Sequence, residues 1–189
     1  MLADDDHSAR RDLATTLGHL VIEFGHLEAA VREFVWFCGG TGTANGPLLT
    51  ADMTFQQSVA AAERVYRWRV GSATTPFQSA FSTDDFLAFP FMGDLTAPVV
   101  PPNMKRLCQS ALAAAQKRNE ALHGAWWLAP SPDLDGVRVR VSPTPRRLDV
   151  ERVALSEIDD TTSSAELLTR LFRAVMMAIV SDPRYPIPR

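Results

Sequence analysis

The chain has 189 residues, 46% of them hydrophobic and 22% charged, and its net charge of −3 gives no overall attraction to nucleic acid or membrane. This length suits one domain whose core needs neither disulfides nor metal. The charged start, residues 1–12, lacks the apolar stretch of a signal peptide, and no apolar run approaches the ~18 residues of a membrane span. We therefore expect a cytoplasmic protein without membrane contact.

Apolar residues recur at alternating spacings of four and three along the first part of the chain. They are Leu13, Leu17, Leu20, Phe24, Leu27, Val31, Phe34 and Cys38. This spacing predicts a long helix from about Ser8 to about Cys38, with one face in a helical bundle and Gly39-Gly40 at its end. "GTGTANGP" then predicts a loop, and "DMTFQQSVAAAERVYRWRV" a second helix with arginines near its carboxyl end, where cations suit the helix dipole.

Regular periodicity is lost over residues 71–102, which contain five prolines and five phenylalanines. We interpret this segment as an irregular insertion that covers the core or a dimer contact, with a substrate lid as the alternative. A third helix is predicted after Pro101-Pro102, ending before Gly124. Its inward stripe is Met104, Cys108, Ala111, Ala115, Arg118 and Leu122. The stripe therefore places Arg118 where an apolar core residue is expected.

A small β-hairpin or meander is predicted at about 125–152, because "AWWLA" and "VRVRV" alternate like strands and "RLDVERV" supplies a third short segment. A capping-box pattern at 163–166 predicts the start of the last helix, which stops before Asp182-Pro183. Cys38 and Cys108 fall within helical patterns and are expected to be reduced core residues; a disulfide or redox pair is the alternative. The sequence thus predicts a single, mainly α domain over 1–189, with four to five long helices.

The end of the third helix holds the residues best suited to catalysis. Arg118 offers a planar fork for phosphate oxygens, His123 transfers protons near neutral pH, and Asn119 can orient the imidazole. Together they suit RNA cleavage through the 2′-hydroxyl without a metal. On an unbroken helix the side chains of Arg118 and His123 diverge by about 140°, so they converge only if the helix ends at His123.

The segment "RNEALHGAW" resembles the motif of the HEPN superfamily, an Arg, a polar residue that is often Asn, and a His four to six residues after the Arg. The early helix, "LGHLVIEFGHLEAAVREFVW", is also similar to the first helix of bacterial HEPN-like proteins. The resemblance implies a helical bundle that forms a homodimer, with the two motifs facing each other. It also implies a cofactor-free, metal-independent endoribonuclease, such as the toxin of a toxin–antitoxin or phage-defence system, with RNA and an antitoxin protein as partners.

Carried over to this chain, the resemblance gives Arg118 contact with the scissile phosphate, His123 the role of general acid or base, and Asn119 a positioning role. Glu28 and Glu120 are the supporting residues, Glu28 because a buried guanidinium needs a partner. The alternative is a non-catalytic HEPN-like interaction or ligand-binding module, in which the motif is a structural cluster at the dimer interface.

Four residues near the motif are candidates for RNA contact: Lys117, Trp126, Arg138 and Arg140. Tryptophan stacks on bases and the cations suit phosphates. Trp126 equally suits a cover over the core, and the two strand arginines equally suit a charged, protected strand edge. The histidines and glutamate at positions 19, 23 and 26 share one helix face. Three metal ligands from one straight helix are strained, so ordinary surface is expected there and a metal site is the weaker alternative.

Overall fold

The computed structural model describes residues 2–71, 104–123, 125–128, 136–141 and 148–181. Five helices are described within these ranges: α1 (Leu2–Cys38), α2 (Gly42–Thr50), α3 (Phe55–Gly71), α4 (Met104–Leu122) and α5 (Leu155–Ser181). The mainly α class is therefore confirmed. None of the described helices combines the length and apolar character needed to cross a membrane. Apart from Gly71, the predicted insertion at 71–102 lies outside the described residues.

Helix α1 carries the predicted apolar face. Of its eight stripe residues, seven are buried and Leu17 is partly buried. The helix begins about six residues before the predicted start and ends at Cys38, where Gly40 adopts a φ of +77°. A residue in that left-handed conformation terminates a helix most easily when it has no Cβ, so the glycine pair ends α1 as predicted.

Helix α2 corrects the prediction of a loop at "GTGTANGP". Trp36 of α1 donates its Nε1 hydrogen to Thr50 Oγ1 at 2.8 Å, and Thr50 Oγ1 donates to the Gly46 carbonyl at 3.2 Å. Gly46 lies directly against the indole, where its lack of a side chain permits the close approach. The glycine and proline content signals a turn locally, but packing against α1 overrides this weak preference.

Helix α5 begins at Leu155, eight residues before the predicted Ser163. Its first turn is closed locally, because the Ala154 N–H donates to Glu157 Oε1 at 3.5 Å and the Glu157 N–H donates to the Ala154 carbonyl. The hydroxyl of Ser164 donates back to the Asp160 carbonyl at 2.8 Å instead of capping a new helix. Such back-bonding lets serine and threonine lie inside a helix, which explains why the capping-box pattern misplaced the start.

Three strands form an antiparallel sheet in the order β1-β2-β3: β1 (Ala125–Leu128), β2 (Gly136–Val141) and β3 (Leu148–Val153). Each β2 arginine lies opposite an acidic residue of β3, Arg138 opposite Glu151 and Arg140 opposite Asp149. Along the other edge of β2, Arg138 pairs with Trp126 of β1. The register therefore places each of these two arginines beside an acidic residue, so β2 and β3 do not form a continuous row of basic residues.

The chain divides into two compact units. Unit 1 consists of residues 1–27 and 113–167, and unit 2 of residues 28–112 and 168–189. The core of unit 1 contains Leu13, Leu20, Ala121, Val153 and Ile158. In unit 2, the rings of Phe34 and Phe172 meet edge to face, with 6.0 Å between their centroids. Helices α1, α4 and α5 each contribute residues to both units.

Candidate functional site

Arg118 lies near the carboxyl end of α4 and is partly buried in unit 1. The guanidinium carbon lies 5.2 Å from the centroid of the Phe24 ring, which is 4% exposed on the apolar face of α1. Arg118 Nη1 donates to Asn119 Oδ1 at 3.0 Å. The side chain therefore faces α1, as the spacing predicts, and is held by an aromatic ring and a neutral amide.

The positive charge of Arg118 has no carboxylate partner in the described part of the chain. Arg118 Nε is buried without a hydrogen-bond partner. A partly buried guanidinium is normally paired with an acidic side chain, because desolvation penalises an isolated charge. Among the described residues, the hydrogen bond to Asn119 is the one that Arg118 makes through its side chain.

Asn119 contacts both ends of the motif through different groups. Its side-chain oxygen accepts the hydrogen bond from Arg118, and its backbone carbonyl accepts the N–H of His123 at 3.0 Å. From the sequence, the side-chain amide of Asn119 was expected to orient the imidazole of His123. The structure instead directs it to the guanidinium, so Asn119 fixes Arg118.

His123 follows the last residue of α4 and is exposed. Its backbone N–H continues the helical pattern of bonds to the fourth preceding residue, so the side chain leaves the helix well away from Arg118. Its imidazole makes no hydrogen bond to any described residue. Within the described residues, no hydrogen bond joins the imidazole of His123 to the guanidinium of Arg118, and Gly124, the predicted helix terminator, lies outside the described residues.

The two supporting glutamates have other partners. Glu28 Oε1 accepts a hydrogen bond from Arg32 Nη2 at 2.7 Å, four residues along α1, so it is committed to Arg32 and does not hold Arg118 as predicted. Glu120 Oε1 accepts a hydrogen bond from Gln116 Nε2 at 3.0 Å. Pairs separated by four residues form along one helix face, and this local geometry competes with the long-range pair that the sequence suggested for Glu28.

The candidates for RNA contact fall into different environments. Trp126 Nε1 donates to the Ala121 carbonyl at 2.8 Å, and the indole packs against the core of unit 1, which supports its interpretation as a core cover. Lys117 is exposed on α4. The side chains of Arg138 and Arg140 lie outside the described part of the structure; only their backbone register opposite Glu151 and Asp149 is given.

A surface pocket of about 180 Å³ lies in unit 1 beside Lys117. Its lining consists of Lys117, Glu120, Ala121, Val153, Glu157, Ile158, Asp160 and Thr161. Three carboxylates against one ammonium give the pocket a negative charge, which repels phosphate. Neither Arg118 nor His123 lines it, so this pocket is not the RNA-binding cleft that the motif requires.

The described residues contain no group of three side chains suited to hold a metal ion. On α1, His26 Nδ1 and Glu23 Oε2 form a local pair at 3.3 Å. Cys38 and Cys108 are free and buried, which confirms the prediction of reduced core cysteines. Burial raises the pKa of each thiol to about 12, against an ordinary value of 9.0, so neither is a reactive nucleophile.

Sequence reasoning missed two residues. Phe24 was assigned only to the core. Because Phe24 lies in the inward stripe of α1 and Arg118 in the inward stripe of α4, the two stripes are a signal that these side chains meet. Arg69 is one of the arginines that the sequence places near the carboxyl end of α3 for their effect on the helix dipole, but it is 4% exposed in unit 2. Four positions before it in the sequence is Val65, and three before it is the buried Tyr66, so its place on the inner face is visible from helical spacing.

No family model, curated protein or solved structure matches this chain. Functional inference therefore depends on the residues and contacts described above and on the motif in the sequence. The observation with the clearest chemical meaning is the partly buried, uncompensated guanidinium of Arg118.

Proposed function

We propose that the chain is a HEPN-like, metal-independent endoribonuclease that acts through Arg118 and His123. The observation that carries the proposal is the state of Arg118, which is oriented by Phe24 and Asn119 and has no carboxylate partner among the described residues. A guanidinium held in this way is preorganised for a phosphate, because its orientation is fixed before the ligand arrives. The "RNEALHG" motif supports the same assignment.

The proposed reaction needs no metal or cofactor. The 2′-oxygen of a nucleotide bonds to the adjacent phosphorus, the bond from phosphorus to the 5′-oxygen breaks, and a 2′,3′-cyclic phosphate forms. One proton leaves the 2′-hydroxyl and one reaches the departing 5′-oxygen. His123 transfers one of these protons and water transfers the other, while Arg118 neutralises the charge that develops on the phosphate oxygens. DNA, which lacks the 2′-hydroxyl, is not a substrate.

A homodimer is part of the proposal. His123 is exposed and its imidazole makes no hydrogen bond to Arg118 among the described residues, so in this proposal a second copy completes the site. The motif resemblance supports two facing motifs across a dimer interface. We further propose a cytoplasmic toxin silenced by an antitoxin protein, since an exposed, unregulated ribonuclease is harmful to the cell that makes it.

The test is an RNA cleavage assay in EDTA with wild type, His123→Ala and Arg118→Lys. Wild type should release 2′,3′-cyclic phosphate ends, and His123→Ala should be slower by a factor of about 10² to 10⁴, the usual contribution of a general acid or base. Arg118→Lys should also lose activity, because an ammonium cannot bind phosphate with two parallel hydrogen bonds.

His19→Ala is the matched control, because His19 is also an exposed histidine of unit 1 but lies outside the motif. It should cleave RNA at the wild-type rate. Circular dichroism should show equal helicity for all variants. Equal activity of His123→Ala and wild type, or cleavage that stops in EDTA, would contradict the proposal.

One observation favours a second candidate, a non-catalytic HEPN-like interaction or ligand-binding module. The pocket beside Lys117 is acidic, and the imidazole of His123 makes no hydrogen bond to a described residue that would set its tautomer. This candidate predicts that the folded wild-type protein cleaves none of a varied set of RNAs, whereas Arg118→Met abolishes binding of an anionic ligand or the second copy.

A further inference from the structure

Charge is divided unequally between the two compact units. Unit 2 includes ten Lys and Arg and eight Asp and Glu, whereas unit 1 includes nine Lys and Arg and fourteen Asp and Glu. The net charge of −3 conceals this division. Because local fields govern the approach of a charged partner, a polyanion is attracted to unit 2 and repelled from unit 1.

Within unit 2, exposed cations concentrate on α3 and the first two turns of α4. They are Arg64, Arg67, Lys105 and Arg106. The one acidic residue in these two segments is Glu63, which forms an ion pair with Arg67. Arg64, Lys105 and Arg106 form no ion pair with a described residue. Three exposed positive charges on these segments are therefore available to a ligand.

The two helical segments lie side by side. Cys108 Sγ of α4 donates to the Val59 carbonyl of α3 at 3.8 Å. The pKa of the same thiol, raised mainly by burial, is raised further by Glu63 and lowered by Arg67, so α3 runs past Cys108 from Val59 to Arg67. Lys105 and Arg106 lie within one helical turn of Cys108, a rise of about 5.4 Å. The first turn of α4, which carries these two cations, therefore lies near α3.

Helix stability does not explain Lys105 and Arg106. They occupy the first turn of α4, which contains no acidic residue. At this end the helix dipole is positive and disfavours cations, while it favours anions. Placing two cations here works against the stability of the helix and in favour of an anionic ligand.

An exposed aromatic ring accompanies these cations. Trp68 is 52% exposed and lies four residues after Arg64, which places both on the same face of α3. Bases of single-stranded nucleic acid stack on exposed aromatic rings between phosphate contacts, whereas the bases of a duplex are already stacked on each other. The combination of cations and an exposed indole therefore favours a single strand.

We propose that the surface formed by Arg64, Trp68, Lys105 and Arg106, hereafter the α3–α4 surface, binds single-stranded nucleic acid. The cations contact phosphates and Trp68 stacks on a base. This surface needs neither Arg118 nor His123, so it is independent of the proposed ribonuclease. If both proposals hold, the α3–α4 surface is a binding site for the substrate strand.

The test is fluorescence anisotropy with a labelled 12-nucleotide oligouridine, oligothymidine of the same length and a 12-base-pair RNA duplex, titrated with the full chain at 50 and 200 mM salt. Arg64→Gln/Lys105→Gln should lower the slope of log affinity against log salt by about 1.4, since each lost phosphate contact contributes about 0.7 with single strands. Trp68→Leu should weaken binding about tenfold with little change in slope.

Arg10→Gln/Arg11→Gln is the matched control, because it removes two exposed positive charges from unit 1. It should leave affinity and salt slope close to the wild-type values. Binding of oligouridine alone, or of both single strands, supports the proposal. Tighter binding of the duplex, equal losses in the two double variants, or no binding by folded wild-type protein overturns it.

Different experimental results would rule out the ribonuclease proposal and the α3–α4 surface. His123→Ala should bind oligouridine as tightly as wild type does. If wild type binds the strand but never cuts it, the ribonuclease proposal is wrong and the α3–α4 surface stands. If wild type cuts RNA and Arg64→Gln/Lys105→Gln binds it with wild-type affinity, the α3–α4 surface is wrong and the ribonuclease proposal stands.

Discussion

At the scale of single residues, a substitution of Arg118 tests whether its guanidinium serves function or stability. Its charge is partly buried without a carboxylate partner among the described residues. Arg118→Met keeps most of the side-chain volume and removes this charge, so the free energy of unfolding should rise by about 1 kcal/mol, while any RNA cleavage is lost. Urea denaturation measures the first effect.

The comparison variant is Arg32→Met. Arg32 Nη2 donates both to Glu28 and to the Met53 carbonyl, so its removal should lower the free energy of unfolding by about 1 kcal/mol. If Arg118→Met proves more destabilising than Arg32→Met, the guanidinium of Arg118 is a structural group and the catalytic proposal loses its main support.

Two buried hydroxyls of unit 2 give a second prediction. Ser58 is fully buried and its Oγ has no hydrogen-bond partner among the described residues, whereas Thr50 Oγ1 accepts from Trp36 and donates to Gly46. Ser58→Ala should therefore raise the free energy of unfolding by about 1 kcal/mol, since an unsatisfied hydroxyl costs desolvation. Thr50→Val should lower it by about 1 to 3 kcal/mol, because the indole N–H loses its acceptor. If thermal denaturation shows both variants shifting the melting temperature in the same direction, the interpretation of Ser58 as an unsatisfied hydroxyl is wrong.

At the scale of helices, two glycines predict opposite effects of the same substitution. A Cβ at Gly25 of α1 has no neighbour within 4 Å, so Gly25→Ala should stabilise the protein by about 1 kcal/mol through helix propensity. A Cβ at Gly46 of α2 would overlap Cβ and Cγ of Trp36, so Gly46→Ala should destabilise by about 1 to 3 kcal/mol. Melting temperatures of the two variants should move in opposite directions; an unchanged value for Gly46→Ala would show that α2 shifts freely.

Helices with a sustained apolar stripe could be predicted from sequence, and those held by particular contacts could not. The α1 stripe spans eight residues, and its buried positions follow from helical spacing alone. Helix α2 depends on one indole against one glycine, and the start of α5 depends on a first turn closed by Glu157. Short-range sequence patterns do not contain these contacts, because they form only when distant segments pack or when a side chain adopts one rotamer.

At the scale of the whole molecule, the same distinction separates what could be predicted of the site from what could not. The inward position of Arg118 followed from its spacing. Its partners did not, because Glu28 pairs with a neighbour on its own helix and the nearby amide of Asn119 takes the place that a carboxylate was expected to fill. The unequal charge of the two units also escaped sequence reasoning, since each unit combines segments that are far apart in the chain.

The buried thiols connect residue chemistry to the stability of the whole chain. Both pKa values rise from 9.0 to about 12 on folding, chiefly because burial penalises the thiolate. The folded chain therefore keeps both thiols protonated in a range where the unfolded chain ionises them. Their contribution to stability is fully present below pH 9 and is lost as the pH rises toward 12.

Between pH 8 and pH 10 each thiol should accordingly reduce the free energy of unfolding by about 1.4 kcal/mol. Cys38→Ala/Cys108→Ala removes both contributions, so its urea midpoint should fall less steeply with pH than that of wild type, whatever its stability at pH 8. Lysine and tyrosine titrations affect both proteins alike and cancel in the comparison. Parallel pH profiles, or rapid reaction of native thiols with Ellman's reagent at pH 8, would mean that the two sulfur atoms are not shielded from water in the folded chain.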